Sequence, residues 1–249
     1  MRAGVLGPAA ALQFLSIIPV RLPASVPGAA FPNAVAWFPL IGAGLGIFVA
    51  AADALLGRVL PLTVVSGLDL ALLAVITGGL HLDGLADAID GLVGNLPRER
   101  RLEVMRDGGV GAFGAAGLTI TLLVEYGALV GLESTIRFAA IVATVAVSRW
   151  AMSLMLWAFP YARTEGSGSA FRAGLRPVHV SVAAITTLFV AFVALSLIGT
   201  VLFVVSLVVV FLVGSVAMAR IGGCTGDVYG AGGELTFAAS LVMVSALAG

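Results

Sequence analysis

From Val178 to Ala219 the chain runs 42 residues without a charged side chain. At 1.5 Å per helical residue this is about 63 Å, twice the roughly 30 Å hydrocarbon core of a bilayer, so the segment must fold back and supply two membrane spans that turn near Ser196–Thr200. The composition agrees: 60% of residues are hydrophobic and 10% charged, where a soluble domain has about 45–50% and about 25%. Thirteen acidic and thirteen basic side chains cannot solvate the surface of a 25.1 kDa globule. A water-soluble enzyme, a disordered chain and a nucleic-acid binder acting through net charge are thereby excluded. One cysteine, Cys224, excludes an intrachain disulfide and a cysteine-based metal cluster.

Four more spans are expected at Ala34–Leu56, Leu60–Leu80, Val110–Leu132 and Phe138–Phe159, each near the roughly 20 apolar residues a crossing needs. Shorter apolar stretches, Gly4–Val20 and Leu235–Gly249, flank this set. The fold class is therefore an all-α polytopic bundle of six to eight spans, read as one domain over residues 1–249. Every one of the 13 basic residues is arginine. Arg98, Arg100, Arg101, Arg106, Arg163, Arg172, Arg176 and Arg220 fall in loops separated by even numbers of spans, and Arg58 and Arg137 lie on the other side. The positive-inside rule puts the richer side in the cytoplasm, as expected of a multi-pass protein of the cell (inner or plasma) membrane.

Six of the 13 acids fall within residues 83–107. Asp83, Asp87 and Asp90 are spaced i, i+4, i+7, which on a helix places them on one narrow stripe. The residues between them are apolar rather than basic, unlike those of a solvated helix face. Carboxylates packed this closely repel one another unless a cation lies among them, and oxygen-only ligands suit Mg²⁺ or Mn²⁺. Gly84 and Gly91 leave room beside the stripe for a phosphate. His81 lies about 160° around the helix from Asp83, so it either caps the turn after Gly78-Gly79 or hydrogen-bonds a phosphate. Arg163, Arg172 and Arg176, with Glu165, Gly166 and Gly168, form a flexible loop, either a diphosphate clamp or plain topogenic charge. The run Gly222-Gly223-Cys224-Thr225-Gly226-Asp227 is either a ligand-approach loop or a glycine turn. Arg149 falls mid-span and is expected inside the bundle beside Glu125, while Asp53 and Asp69 read as structural.

The string His81-Leu82-Asp83-Gly84-Leu85-Ala86-Asp87-Ala88-Ile89-Asp90-Gly91 resembles the signature of the cobalamin synthase family, the adenosylcobinamide-GDP ribazoletransferases. Phe14-Leu15, Phe38-Pro39-Leu40-Ile41-Gly42, Met105-Arg106-Asp107 with Gly111 and Gly114, Ser148-Arg149, Tyr161-Ala162-Arg163 and Gly223-Cys224-Thr225-Gly226-Asp227 follow in the family's order. The resemblance implies a Mg²⁺-dependent membrane enzyme that joins adenosylcobinamide-GDP to α-ribazole, or its 5′-phosphate, with release of GMP. It implies a metal set drawn from Asp83, Asp87, Asp90, Asp107 and Asp227. Asp90 would then serve the attacking hydroxyl, with Arg106, Arg163, His81, Gly84, Gly91, Gly166, Gly168, Thr225 and Gly226 around the phosphates. A CDP-alcohol phosphotransferase, the nearest rival, has Ala-Arg after its first Asp-Gly pair, where this chain has Leu85-Ala86. A cation-coupled transporter would place its acids near midplane in broken helices. Membrane lipid and small-molecule substrates are the expected partners, with no nucleic acid and an oligomer left open.

Overall fold

Backbone surrounded by hydrocarbon has no water to bond, so long apolar runs close their hydrogen bonds internally as helices. The computed structural model describes residues 3–23, 28–163 and 166–248, and among these it contains twelve helices and no strand. They are α1 (Ala3–Leu15), α2 (Ala30–Val35), α3 (Phe38–Leu56), α4 (Leu62–Ile76), α5 (Leu80–Leu92), α6 (Arg98–Val104), α7 (Ala112–Val130), α8 (Ser134–Ala158), α9 (Ser167–Arg172), α10 (Pro177–Leu195), α11 (Leu197–Ile221) and α12 (Gly226–Leu247). Six of them, α3, α7, α8, α10, α11 and α12, are long and apolar enough to cross a membrane, and the bent α4–α5 pair meets the same test only when its two helices are taken together. The chain is a multi-pass membrane protein.

Helix α8 is the centre of the bundle, with α3, α10, α11 and α12 packed around it. Small residues allow this: a Cβ at Gly46 would sit 2.9 Å from Val142 Cα, and one at Gly42 would sit 2.7 Å from the Arg149 side chain. Such small-residue contacts let helix backbones approach closely in lipid, where hydrophobicity alone does not drive association. The Trp150 indole N–H donates to Ser206 Oγ at 3.1 Å, and the Ser153 hydroxyl donates to Val35 O at 2.9 Å, tying α8 to α11 and α2. The expected reversal near Ser196–Thr200 is a one-residue link, Ser196 at φ 52°.

Three expectations change. The span placed at Leu60–Leu80 is α4, only 15 residues or about 22 Å. It ends where Gly78 and Gly79 take positive φ (66° and 70°), and α5 leaves at 89° to α4. Of the stretch Leu235–Gly249, the residues to Leu247 are the end of a longer span, α12, which begins at Gly226, and Gly249 lies outside the described residues. Gly4–Val20 overlaps α1, 13 residues, too short to cross. It packs on α2 and α3, where Phe14, Phe31, Phe38 and Phe171 form an aromatic cluster with centroids 4.5–5.7 Å apart.

Arg137, counted with the loop arginines, is buried in the first turn of α8. Its Nε donates to Asp53 Oδ1 at 2.6 Å and its Nη2 to Asp69 Oδ2 at 2.8 Å and Ser66 Oγ at 3.0 Å. Asp53 and Asp69 are thus structural, clamping α3 and α4 to α8.

Candidate active site at the arginine-rich end

Three segments far apart in sequence meet at one end of the bundle. Arg98 joins them: its Nε donates to Ile221 O at 2.9 Å and its Nη2 to Ala162 O at 3.0 Å. A short bridge pairs Tyr161 with Cys224, closed by Cys224 N–H to Pro160 O and Ala162 N–H to Cys224 O, both 2.8 Å. Gly223 permits this contact, since a Cβ there would lie 2.5 Å from Pro160 O. Burial pushes the Cys224 thiol up to about 12, which makes it an inert packing residue.

The helix α5 carries the aspartate stripe along the start of α12 and the start of α7. Asp83 is exposed, whereas Asp87 is buried among the charges of Asp83, Asp227, Asp90 and Arg163. From the other side, Arg163 Nη2 donates to Asp227 Oδ2 at 2.9 Å, and Arg163 Nε has no partner. The Thr225 hydroxyl donates to the same Asp227 oxygen at 3.1 Å. Asp83, Asp87, Asp227 and Arg163 therefore form one group. Arg106 is exposed at its edge, near enough for its charge to act on the Tyr161 phenol, which burial holds above its usual range.

Asp90, expected at the metal and the attacking hydroxyl, and several residues expected at the phosphates also hold the local structure together. Each Asp90 oxygen accepts one backbone N–H: Gly111 N–H donates to Oδ2 at 2.7 Å and Gly114 N–H to Oδ1 at 2.8 Å. Asp90 thus caps the first turn of α7 across 21 and 24 residues of sequence, satisfying amides that a helix start leaves orphaned. Gly84 faces Asp227 backbone rather than open space, with a Cβ there 3.0 Å from Asp227 O. Gly91 faces Met105, whose Cε and Cγ would each lie 2.6 Å away. Gly168 makes room for the stacked rings of Tyr161 and Tyr229, 6.3 Å apart, and Gly166 for the Tyr161 hydroxyl. Thr225 is the buried N-cap of α12, accepting from Val228 N–H at 3.3 Å, and Gly226 is that helix's first residue.

His81 is buried and turned from the stripe, beside Arg149, Glu125 and Glu234. Arg149 lies inside the bundle as expected, its Nη1 donating to Ser148 Oγ at 3.0 Å, with Glu125 and Glu234 the nearby acids. Asp107 is exposed after α6, where its charge acts on Arg100.

The arginine loop is less free than its glycines imply. Arg172 Nη1 donates to Leu156 O at 2.8 Å and to Phe159 O, capping the end of α8, and Phe171 is buried in the aromatic cluster. Arg176 precedes α10 and its N–H donates to His179 Nδ1 at 3.1 Å. Arg101 likewise donates to Gly91 O, Leu92 O and Gly94 O, capping α5. Glu165 lies outside the described residues.

Sequence reasoning missed Glu234 and Tyr229. Glu234 had a signal: it is an acid within the apolar run that forms α12, and ionisable residues at such positions are usually functional or paired. Tyr229 had none, because its place under Gly168 depends on a loop returning from elsewhere.

The family model described as cobalamin-5-phosphate synthase matches residues 7–245. The chain is 36% identical to an adenosylcobinamide-GDP ribazoletransferase of Geotalea daltonii over 96% of both chains. It is 35% identical to one of Desulfitobacterium hafniense over 91% of both, and 36% identical to one of Pseudomonas paraeruginosa over 94% of this chain and 96% of that one. No solved structure matches.

Proposed function

The chain belongs to the cobalamin-5-phosphate synthase family, and from that premise we propose that it is an adenosylcobinamide-GDP ribazoletransferase. In this reading a ribose-ring hydroxyl, free in both α-ribazole and its 5′-phosphate, attacks the phosphorus carried by cobinamide. The bond from that phosphorus to the GMP oxygen breaks, GMP departs, and the hydroxyl proton passes to a carboxylate. The observation that carries the reading is the group Asp83, Asp87, Asp227 and Arg163, assembled from α5, the residue 163 loop and the start of α12.

Phosphoryl transfer is catalysed mainly by positioning and by neutralising negative charge. Arg163, oriented by Asp227 through Nη2, has its Nε free to donate to a phosphate oxygen. Arg106 supplies a second, exposed cation. Among the described residues, no three metal-ligating side chains are gathered into a ready-made cage. The all-oxygen donors nevertheless fit Mg²⁺, which is commonly held by one or two carboxylates together with substrate phosphates. Asp83 and Asp87 would provide those ligands, and the bound ion would offset the charge of the diphosphate. Asp87, buried beside the charges of Asp83 and Arg163, would also take the proton. In this reading Asp87 rather than Asp90 serves the attacking hydroxyl, and Asp90, whose oxygens each accept a backbone N–H, holds α7 against α5. The arginine-rich end, and with it the site, faces the cytoplasm of the cell membrane.

The test is turnover by the purified protein in nanodiscs. GMP should be released from adenosylcobinamide-GDP only when α-ribazole and Mg²⁺ are present. Asp83→Asn should raise the Mg²⁺ concentration for half-maximal rate by about tenfold or more, the scale on which disturbed metal ligation costs affinity. Release of CMP from CDP-diacylglycerol with no GMP release would replace this reading by the phospholipid-synthase one.

A further inference from the structure

Behind the aspartate stripe, four helices each contribute one ionisable side chain to a single buried cluster. His81 comes from α5, Glu125 from α7, Arg149 from α8 and Glu234 from α12, with exposures of 2%, 0%, 1% and 6%. Together with Thr77 they line a cavity of about 10 Å³, room for about one water molecule. Both ring nitrogens of His81 and Nε of Arg149 have no protein partner, and the Glu125 carboxyl meets the carboxyl of Glu234. Buried polar atoms are nearly always satisfied by protein or by ordered water, and a buried water needs two to four polar partners. This cavity offers them.

The position of His81 gives the cluster a consequence for the site. The start of α5 follows two glycines at positive φ, and its N-cap residue, Gly79, makes no side-chain cap bond. Backbone bonds across the turn, Gly78 N–H to Val75 O at 3.0 Å and Gly79 N–H to Ala74 O at 2.8 Å, fix where α4 ends, and the buried cluster then joins the first turn of α5 to α7, α8 and α12. In its first turn the inward-facing polar side chain is His81, two residues before Asp83. Gly230 of α12 lies against it, since a Cβ there would be 3.4 Å from His81 Cα.

We propose that His81, Glu125, Arg149 and Glu234 form a water-bridged polar network that fixes the direction of α5, making His81 a positioning residue for Asp83 and Asp87. The inference rests on the proposed transferase reading for its catalytic consequence, but the network itself does not. His81 acts on the site through its helix, without touching a phosphate.

The chain has two histidines, so ¹⁵N-histidine labelling in a His179→Gln background reports His81 alone. In nanodiscs its ring signals should shift on Glu125→Gln and stay unmoved when Mg²⁺ and GDP are added. A signal that moves with Mg²⁺ and GDP, and not with Glu125→Gln, overturns the proposal and returns His81 to the phosphates. In kinetics, His81→Leu should lower kcat about tenfold or more with KM for adenosylcobinamide-GDP within about threefold, the pattern of a disturbed transition state rather than lost ground-state binding. His81→Asn, which keeps hydrogen-bonding capacity, should recover most of the loss. Wild-type kcat in folded His81→Leu overturns the positioning role. If the wild-type protein releases no GMP, the transferase reading fails while the NMR comparison still decides the network.

Discussion

Asp83, Asp87 and Asp90 share a stripe, yet their chemistry diverges with what each faces. Asp83 meets solvent, Asp87 meets the charges of Asp227 and Arg163, and Asp90 meets two backbone amides. Replacing Asp90 by Asn sets an NH₂ donor against one of those N–H donors. The expected result is lost stability, about 0.5–2 kcal/mol as for other N-cap removals, seen as a fall in the thermal midpoint. The rate per folded molecule should drop less than about tenfold, against the about 10²–10⁴-fold expected if Asp90 were the general base. A full-size rate loss with an unchanged midpoint would restore it as the base. The stripe was legible from the i, i+4, i+7 spacing. Its division of labour was not, because Gly111 and Gly114 reach Asp90 only through the packing of α7 on α5.

At the scale of elements, the break between α4 and α5 matters most. An unbroken helix over residues 62–92 would carry the aspartates straight on along the line of α4, away from α12. Gly78 and Gly79 turn the chain by 89° and lay α5 against the start of α12. Nothing lies within 4 Å of a Cβ built on Gly79, so its requirement is purely the left-handed φ of 70°. Gly79→Ala should therefore cost about 1–2 kcal/mol. Gly79→Asn should cost less, because Asn tolerates this region. Thermal unfolding of both variants checks this, and equal losses would mean that sterics, not φ, select glycine there. The two glycines stood in the sequence, but an apolar run over Leu60–Leu80 reads equally well as one straight span. The bend follows from the pair taking positive φ together.

For the molecule as a whole, arginines sort by end for two different reasons. At the site end, Arg98, Arg101 and Arg172 are bonded to backbone carbonyls at helix termini, and charge of this sign suits helix C-terminal ends. At the opposite end Arg137 is spent on Asp53 and Asp69, leaving exposed Arg58. Orientation can be read by thiol labelling without removing Cys224, since a buried thiol held up to about 12 should stay unlabelled in the folded protein. Single cysteines replacing the exposed Arg100, Arg176 and Arg220 should react from the cytoplasmic face, and those replacing Arg58 and Glu133 from the other. If Arg58 and Arg100 label from the same face, the crossing by the bent α4–α5 pair is wrong.

Hydropathy and charge placement by themselves determined that this chain is an all-helical membrane protein, which loops share a side, and that the acids of residues 83–90 form one helical stripe. These are one-dimensional properties: a span is a length of apolar sequence, a side is a parity, and a stripe is a period. Only the tertiary structure decided that Asp227 and Arg163 complete the group while Asp90 caps α7, that Gly84 and Gly91 admit neighbouring backbone and side chain, and that His81 belongs with Glu125, Arg149 and Glu234. Each of these pairings joins residues from different helices, and no periodicity within one helix encodes which neighbour its face will meet. That is set by where small residues let backbones approach, as at Gly42, Gly46 and Gly84, and by the cost of leaving a polar group unpaired inside the bundle.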